Sequence, residues 1–92
     1  MSRRTERLNA LLRSEISSLI VRGIKDPRIS GVVSVPRVDI SNDLSFASVF
    51  VSVYGSDSDK RNTIKALKSA TGFMRRELLG RITIRAMPIP RF

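Results

Sequence analysis

The sequence has 92 residues, which is enough for one domain with a modest core and leaves no room for a second. Its 17 Lys and Arg residues against 8 Asp and Glu residues give a formal net charge of +9, and most of the cations are Arg, whose planar guanidinium group matches phosphate. Neither Cys nor His is present, which excludes disulfides, thiolate or imidazole metal sites and Ser-His or Cys-His nucleophiles. We therefore expect a binder of polyanions with no catalytic residue, metal or cofactor.

The first third of the chain predicts a helix, a loop and a strand. Apolar residues recur at helical spacing from Arg4 to Arg22, which indicates an amphipathic helix ended by Gly23. Residues 25–31 combine Asp, Pro and Gly and predict a tight loop. Val32 to Ile40 is rich in β-branched residues and alternates, so we expect a strand with a bulge or an edge position at Pro36.

Ser45 to Tyr54 gives the clearest strand pattern and should form a hairpin with the strand before it. One of its faces is apolar, whereas the other carries Phe46, Phe50 and Tyr54, separated by serines. Aromatic side chains on a sheet can stack nucleic-acid bases, or they can simply cover the sheet. We favour simple cover, because serines separate the rings, no basic residue lies among them, and the second face of a three-stranded sheet needs aromatic cover.

The last third predicts two helical segments and a strand. After a loop at 55–59 that supplies an N-cap, helices are expected over Lys60–Ala70 and Phe73–Leu79, with Gly80 as the cap of the second. The turn between them is Ala70-Thr71-Gly72, where a helix kink is expected. Arg81–Met87 alternates and predicts a third strand.

A cationic stripe follows the kinked helices. Lys65, Lys68, Gly72, Arg75 and Arg76 are spaced so that they share one helical face, and no acidic residue lies on it. This face is the candidate site for RNA contact, and the alternative is an ordinary solvated helix face. We expect Gly72 to be structurally required at the bend, where a left-handed backbone conformation favours glycine.

Two other groups of cations are weaker candidates for RNA contact. Arg3, Arg4 and Arg7 form a basic cluster that either contacts phosphates or lies in solvent at a frayed terminus. Asp26-Pro27-Arg28 is best explained as a turn in which Asp26 accepts hydrogen bonds from nearby amides. Arg28 is its only member that we consider for RNA binding.

The element order is α-β-β-α-kink-α-β, which predicts an α+β fold with a three-stranded sheet and helices packed on one face. Several local motifs recur together with this order. They are Arg3-Arg4, Asp26-Pro27-Arg28, Val38-x-Ile40-Ser41 before Asp43-Leu44, Ala47-x-Val49-x-Val51, Ser69-Ala70-x-Gly72 and Arg75-Arg76-Glu77-Leu78. In this combination the chain resembles type II K-homology (KH) domains and, among them, the ribosome-binding factor A family.

The resemblance implies a single RNA-binding domain over residues 1–92. Ordinary KH domains carry a Gly-x-x-Gly loop, which this family replaces by Ala-x-Gly, here Ala70-Thr71-Gly72. It also implies a cytoplasmic, monomeric, non-catalytic factor that binds the free small ribosomal subunit near the 5′-terminal helix of its ribosomal RNA. Such a factor assists late maturation and processing of that RNA and growth in the cold.

Family members continue from the last strand as Pro-x-Leu-x-Phe into an acidic segment, whereas this sequence reads Pro88-Ile-Pro90-Arg-Phe92. The resemblance therefore implies that a flexible tail is missing, and Pro90 puts the end of the third strand in question because proline donates no hydrogen bond to a ladder.

Two other functions stay open on the sequence alone. One is a general single-stranded RNA or DNA binder without ribosome specificity. The other is a module whose basic helices grip an acidic protein or an anionic membrane surface, although the chain has no apolar run long enough to span a membrane.

Overall fold

The computed structural model describes residues 3–29, 32–82 and 87–92. Helix α1 spans Arg3–Ser18 and continues into a π turn at Leu19–Gly23. Strands β1 and β2 span Val32–Ile40 and Phe46–Tyr54. Helices α2 and α3 span Asp57–Ser69 and Thr71–Arg81, and strand β3 spans Ile89–Arg91. This order confirms the predicted α+β fold.

The sheet has the strand order β1-β2-β3. Strands β1 and β2 are antiparallel, with Val38 opposite Val49, which confirms the predicted hairpin. Their register shifts between Ser34 and Arg37, around the exposed Pro36, as expected for a proline in a strand. At the end of β1, the Ile40 amide donates a hydrogen bond of 3.0 Å to Oδ1 of Asn9 in α1.

A tight turn over residues 41–45 connects β1 to β2. One carboxylate oxygen of Asp43 accepts hydrogen bonds from the hydroxyl groups of Ser41 and Ser45, at 2.8 and 2.6 Å, and from the Ser45 amide at 3.1 Å. These donors lower the pKa of Asp43 to about 2, with the Ser45 hydroxyl as the largest cause. The turn is therefore built around an ionised carboxylate.

All three helices pack on the same face of the sheet. From the strands, Val38, Ala47 and Val49 are buried there. The helices contribute fully buried residues to the same cluster: Leu12, Ile16, Leu19, Leu67, Met74 and Leu78. Burying a side chain of this kind contributes about 1.5–3 kcal/mol to the stability of the folded state, so this layer stabilises the fold. The helices leave the other face of the sheet uncovered.

Helix α2 begins earlier than predicted, because Ser56 is its N-cap. The Ser56 hydroxyl oxygen accepts a hydrogen bond of 3.0 Å from the Asp59 amide. The Asp59 carboxylate in turn accepts one of 3.0 Å from the Ser56 amide. This reciprocal pair is a capping box, which starts the helix at Asp57 and leaves Lys60 inside its first turn.

The predicted position of the third strand is wrong where it can be compared. Arg81 is the last residue of α3, and Met87 lies before β3. Residues 83–86, in the middle of the predicted strand, lie outside the described residues. Gly80 is likewise not a cap, because the helix ends beyond it and the Ile82 amide donates to the Leu78 carbonyl at 2.9 Å.

Pro90 lies inside β3, which pairs in parallel with β2. The Ile89 amide donates to the Ser45 carbonyl at 2.9 Å. Because successive amides of a strand point to opposite edges, the Pro90 nitrogen faces away from β2 and no bond of this ladder is lost.

Candidate nucleic-acid interface

Four cations of α2 and α3 lie exposed on either side of the bend between the helices. They are Lys65 and Lys68 in α2 and Arg75 and Arg76 in α3, and with Gly72 we call them the cationic helix surface. None of the four forms an ion pair with any residue that the structure describes. Their charge is therefore available to an external anion.

The four cations are not equivalent. Arg75 reaches the C-terminal segment, where its Nε donates a hydrogen bond of 3.4 Å to the Met87 carbonyl. Its two terminal nitrogens have no hydrogen bond to a described residue. Arg75 can thus position the chain end and still present a donor pair to phosphate.

The bend itself is made by Ala70. Its φ and ψ of −90° and 3° fall in the bridge region, and its amide donates to the carbonyls of Ala66 and Leu67 at 3.0 and 3.1 Å. The Met74 amide then donates to the Ala70 carbonyl at 2.9 Å, which starts the next helical turn. An ordinary L-residue adopts this conformation, so the bend needs no glycine.

The expectation that Gly72 is structurally required is therefore wrong. Gly72 is the second residue of α3 and does not have a positive φ. A Cβ atom added to it would meet only the Arg76 guanidinium, at 3.5 Å, which is ordinary van der Waals contact. What Gly72 offers is bare, exposed main chain beside the Arg76 guanidinium.

An open groove of about 290 Å³ lies between the π turn that ends α1 and the bend between α2 and α3. Its lining residues are Gly23, Ile24, Lys25, Asp26, Ala66, Ser69, Ala70 and Phe73. Ser69 does not offer a free hydroxyl there, because its Oγ donates to the Lys65 carbonyl at 3.0 Å. Small side chains on the α2 wall bring the groove close to the main chain of the bend.

Asp26 and Arg28 form the turn beside this groove. Oδ1 of Asp26 accepts a hydrogen bond of 2.9 Å from the Arg28 amide, as predicted for the turn. The two side chains also form an ion pair of 2.8 Å. The guanidinium hydrogen bonds lower the pKa of Asp26, and the same contact raises the pKa of Arg28. The charge of Arg28 is balanced locally, which makes it a weaker anion site than the helix cations.

The basic cluster of α1 can be described only in part. Arg7 is exposed on the helix, whereas the side chains of Arg3 and Arg4 lie outside the described residues. Further along α1, Oε2 of Glu15 pairs with Nη1 of Arg81 at 3.3 Å, which ties α1 to the end of α3. Arg7 and the cationic helix surface therefore lie on different helices.

Residues 4–92 match the family model described as Ribosome-binding factor A. A ribosome-binding factor A from Clostridium novyi is 48% identical over 85 residues, which cover 92% of this chain and 70% of that protein. One from Dictyoglomus thermophilum is 48% identical over 88 residues, covering 96% of this chain and 73% of that protein. The chain belongs to the ribosome-binding factor A family.

Solved structures of the family have the same fold. The crystal structure of ribosome-binding factor A from Thermus thermophilus superposes with a TM-score of 0.84 at 26% identity, covering 96% of this chain and 91% of that one. A homology model of the Thermus thermophilus factor, fitted into the cryo-EM map of its complex with the 30S subunit, gives a TM-score of 0.76 at 27% identity, with coverage of 92% and 88%. The predicted family and fold are both confirmed.

The second face of the sheet differs from the sequence-based expectation. Phe50 and Tyr54 are exposed, at 47% and 84%, and arginines from the neighbouring strands lie over the rings of β2. Arg37 of β1 stands over Phe50, and Arg91 of β3 stands over Phe46. The alternating pattern of β1 could have placed Arg37 on this face of the sheet. Arg91 could not be placed there, because the third strand was expected at residues 81–87.

Among the described residues, no group of three or more His, Cys, Asp or Glu side chains is close enough to hold a metal ion. The acidic residues with described contacts instead serve the turn at Asp43, the capping box at Asp59 and ion pairs at Glu15, Asp26 and Asp39. No described helix is both long and apolar enough to cross a bilayer.

Proposed function

We propose that this protein is a ribosome assembly factor that binds the small ribosomal subunit by placing its cationic helix surface on the backbone of the ribosomal RNA. The observation that carries the proposal is the group of four exposed cations, free of described ion pairs, around a bend with bare main chain at Gly72. Membership of a family named for ribosome binding supports it. So does the complex of the Thermus thermophilus relative with a 30S subunit.

Recognition by such a surface is electrostatic and depends on shape. Each phosphate that a Lys or Arg neutralises releases counterions, so four contacts give a slope of about −3 to −4 for the logarithm of affinity against the logarithm of salt concentration. Arginine adds geometry, because its planar fork can bind two phosphate oxygens at once. The hydrogen-bonded bend between two short helices fixes where these donors stand relative to one another.

The finer part of the proposal rests on the family resemblance. The partner is the free small subunit rather than the whole ribosome, and the site is close to the 5′-terminal helix of the ribosomal RNA. Binding there assists late maturation and processing of that RNA in the cytoplasm. The cell needs the protein most during growth in the cold. No chemical step by the protein is required, and it acts as a monomer.

The test of the site is a charge reversal within α2. The variant Lys65→Glu/Lys68→Glu should bind purified small subunits at least tenfold more weakly than the wild type and show a salt slope shallower by about 2, because two phosphate contacts are lost. The matched control is Arg13→Glu/Lys60→Glu, which reverses two exposed charges that lie off the cationic helix surface. Thermal melts should show that both variants fold.

Two results would contradict the proposed site. If the Lys65 and Lys68 variant binds like the wild type, the contact lies elsewhere. If both variants weaken binding equally, attraction to RNA is diffuse and the bend does not position it.

Specificity for the small subunit distinguishes the proposed function from that of a general single-strand binder. Cosedimentation should be strong with free small subunits, weaker with whole ribosomes and weakest with an unrelated RNA of equal length. Equal binding to all three would favour the general binder. If the protein instead fractionates with an acidic protein or a membrane, and ribonuclease treatment does not change this, the protein-binding or membrane-binding module would be favoured.

A further inference from the structure

The face of the sheet opposite the helices carries aromatic rings in a row. Phe46, Phe50 and Tyr54 alternate along β2 with residues of the core face, so all three point away from the helices. Successive rings in this row are four residues apart, which places them about 13 Å from each other along the strand. With Arg37 and Arg91 these residues form what we call the aromatic sheet face.

Two guanidinium groups lie against this row. Cζ of Arg91 is 3.6 Å from the ring centroid of Phe46, and Cζ of Arg37 is 5.3 Å from that of Phe50. A guanidinium placed over an aromatic ring is attracted by the negative face of the ring. Its opposite side can still receive a planar group, and Tyr54 at 84% exposure is an open ring at the end of the row.

Arg91 is the cation of this face that remains available to an anionic partner. The acidic residue of the face, Asp39, forms an ion pair with Arg37 at 2.5 Å, and Arg91 has no ion pair with a described residue. At the turn next to Phe46, the hydroxyls of Ser41 and Ser45 fill acceptor positions of the Asp43 carboxylate, which keeps its negative charge. The available groups are therefore aromatic rings and arginine planes.

We propose that the aromatic sheet face binds unpaired nucleotides of RNA by stacking their bases on Tyr54, on Phe50 and on the arginine planes. Unpaired bases stack on aromatic rings and on guanidinium planes, whereas the bases of a duplex are already stacked on each other. This inference rests on the proposed function for the identity of the polymer, but it uses the other side of the domain. The protein would then hold a helical backbone on one side and an unpaired segment on the other.

A second copy of the chain is a poorer occupant of the same face. A two-fold dimer through this face would bring its arginine-bearing surface against an identical one, in a chain whose net charge is +9. An RNA single strand supplies both the planar groups and the negative charge that the face lacks.

The sequence provides a direct probe, because Tyr54 is its single tyrosine and no tryptophan is present. Intrinsic fluorescence of the whole protein therefore reports on this face alone. Titration with an eight-residue oligouridylate should quench Tyr54 in a saturable manner, and an RNA duplex of equal strand length should leave the emission nearly unchanged. Phe50→Ala should raise the oligouridylate concentration for half-quenching about fivefold or more, the lower limit for loss of one base–aromatic stack.

Controls separate this inference from the proposed function. Leu11→Ala removes a similarly exposed apolar side chain, on α1, and should leave the quenching curve unchanged. Lys65→Glu/Lys68→Glu should lose small-subunit binding and keep the quenching by oligouridylate. Quenching that disappears in this variant would mean that both probes report one site, and the inference would be overturned.

Three further results would also overturn it while leaving the proposed function standing. They are small-subunit binding with no quenching by oligouridylate, equal quenching by duplex, and quenching that Phe50→Ala does not alter. Sedimentation of the free protein as a dimer, in which Tyr54 is shielded from a neutral quencher such as acrylamide, would assign the face to a second copy instead.

Discussion

Replacing Gly72 by Ala should stabilise the protein while testing whether RNA uses its bare main chain. Alanine is favoured over glycine by up to about 1 kcal/mol inside a helix. Gly72 is only the second residue of α3, where the helix is less constrained, so we expect about half of this value. No contact opposes the change, because the new Cβ would meet only the flexible end of Arg76 at 3.5 Å.

A gain of about 0.5 kcal/mol corresponds to about 2–4 °C in melting temperature for a domain of this size. Thermal and urea denaturation measure it. Gly80→Ala is the matched control, because a Cβ there meets nothing within 4 Å and the residue is also near an end of α3. Gly23→Ala should behave in the opposite way, since its Cβ would lie 3.2 Å from Cδ2 of the fully buried Leu19.

The same variants separate architecture from contact. If a phosphate approaches the main chain at Gly72, Gly72→Ala should weaken small-subunit binding although it melts higher, and Gly80→Ala should bind normally. A loss of more than about 1 kcal/mol of folding free energy in Gly72→Ala would refute the structural reasoning, because it would mean that the bend requires glycine after all.

Three further predictions concern the fold. Ser56→Ala should lower the free energy of unfolding by about 1 kcal/mol in urea denaturation, because it removes the N-cap of α2. Ser58→Ala, in the same turn, should have little effect. Equal losses in the two variants would contradict the capping box. Thr63→Val should raise the free energy of unfolding by about 1 kcal/mol in the same assay, because the buried Thr63 hydroxyl has no hydrogen-bond partner among the described residues. A clear decrease would mean that the hydroxyl has a partner. The lowered pKa of Asp43, about 2 against 3.8 for the ordinary group, adds stability above pH 4 that is lost as the pH falls towards 2. Melting temperatures across this range should therefore fall less steeply for Asp43→Asn than for the wild type, and parallel curves would contradict the assignment.

The elements predicted correctly from sequence are those whose pattern is local and long. Helix α1 and strands β1 and β2 show helical or alternating periodicity over nine or more residues, and each lies close to its predicted position. The third strand was misplaced for two physical reasons. Ile82 is buried one helical turn after Leu78, so the apolar spacing that resembles a strand also extends a helix, and a strand of three residues is too short to show alternation.

The candidate site was predictable in composition but not in geometry. Helical spacing identified the exposed cations of α2 and α3, because charges on a helix surface follow from the sequence alone. The pairing of Arg28 with Asp26, which balances its charge, is local and depends on the conformation of the turn. The stacking of Arg37 and Arg91 on rings of another strand depends on tertiary contacts. Neighbours across a sheet depend on register and strand order, which local patterns do not give.

Both outer strands of the described sheet are poor templates for strand addition. On β1, Pro36 interrupts the row of amides at the register shift, and the Ile40 amide is occupied by Asn9. Strand β3 has three residues, and its outward-facing position is Pro90, which has no amide hydrogen. A nascent or misfolded chain would therefore find few backbone groups with which to start edge-to-edge aggregation. The domain can expose the aromatic side chains of its sheet without making the sheet itself a seed for polymerisation.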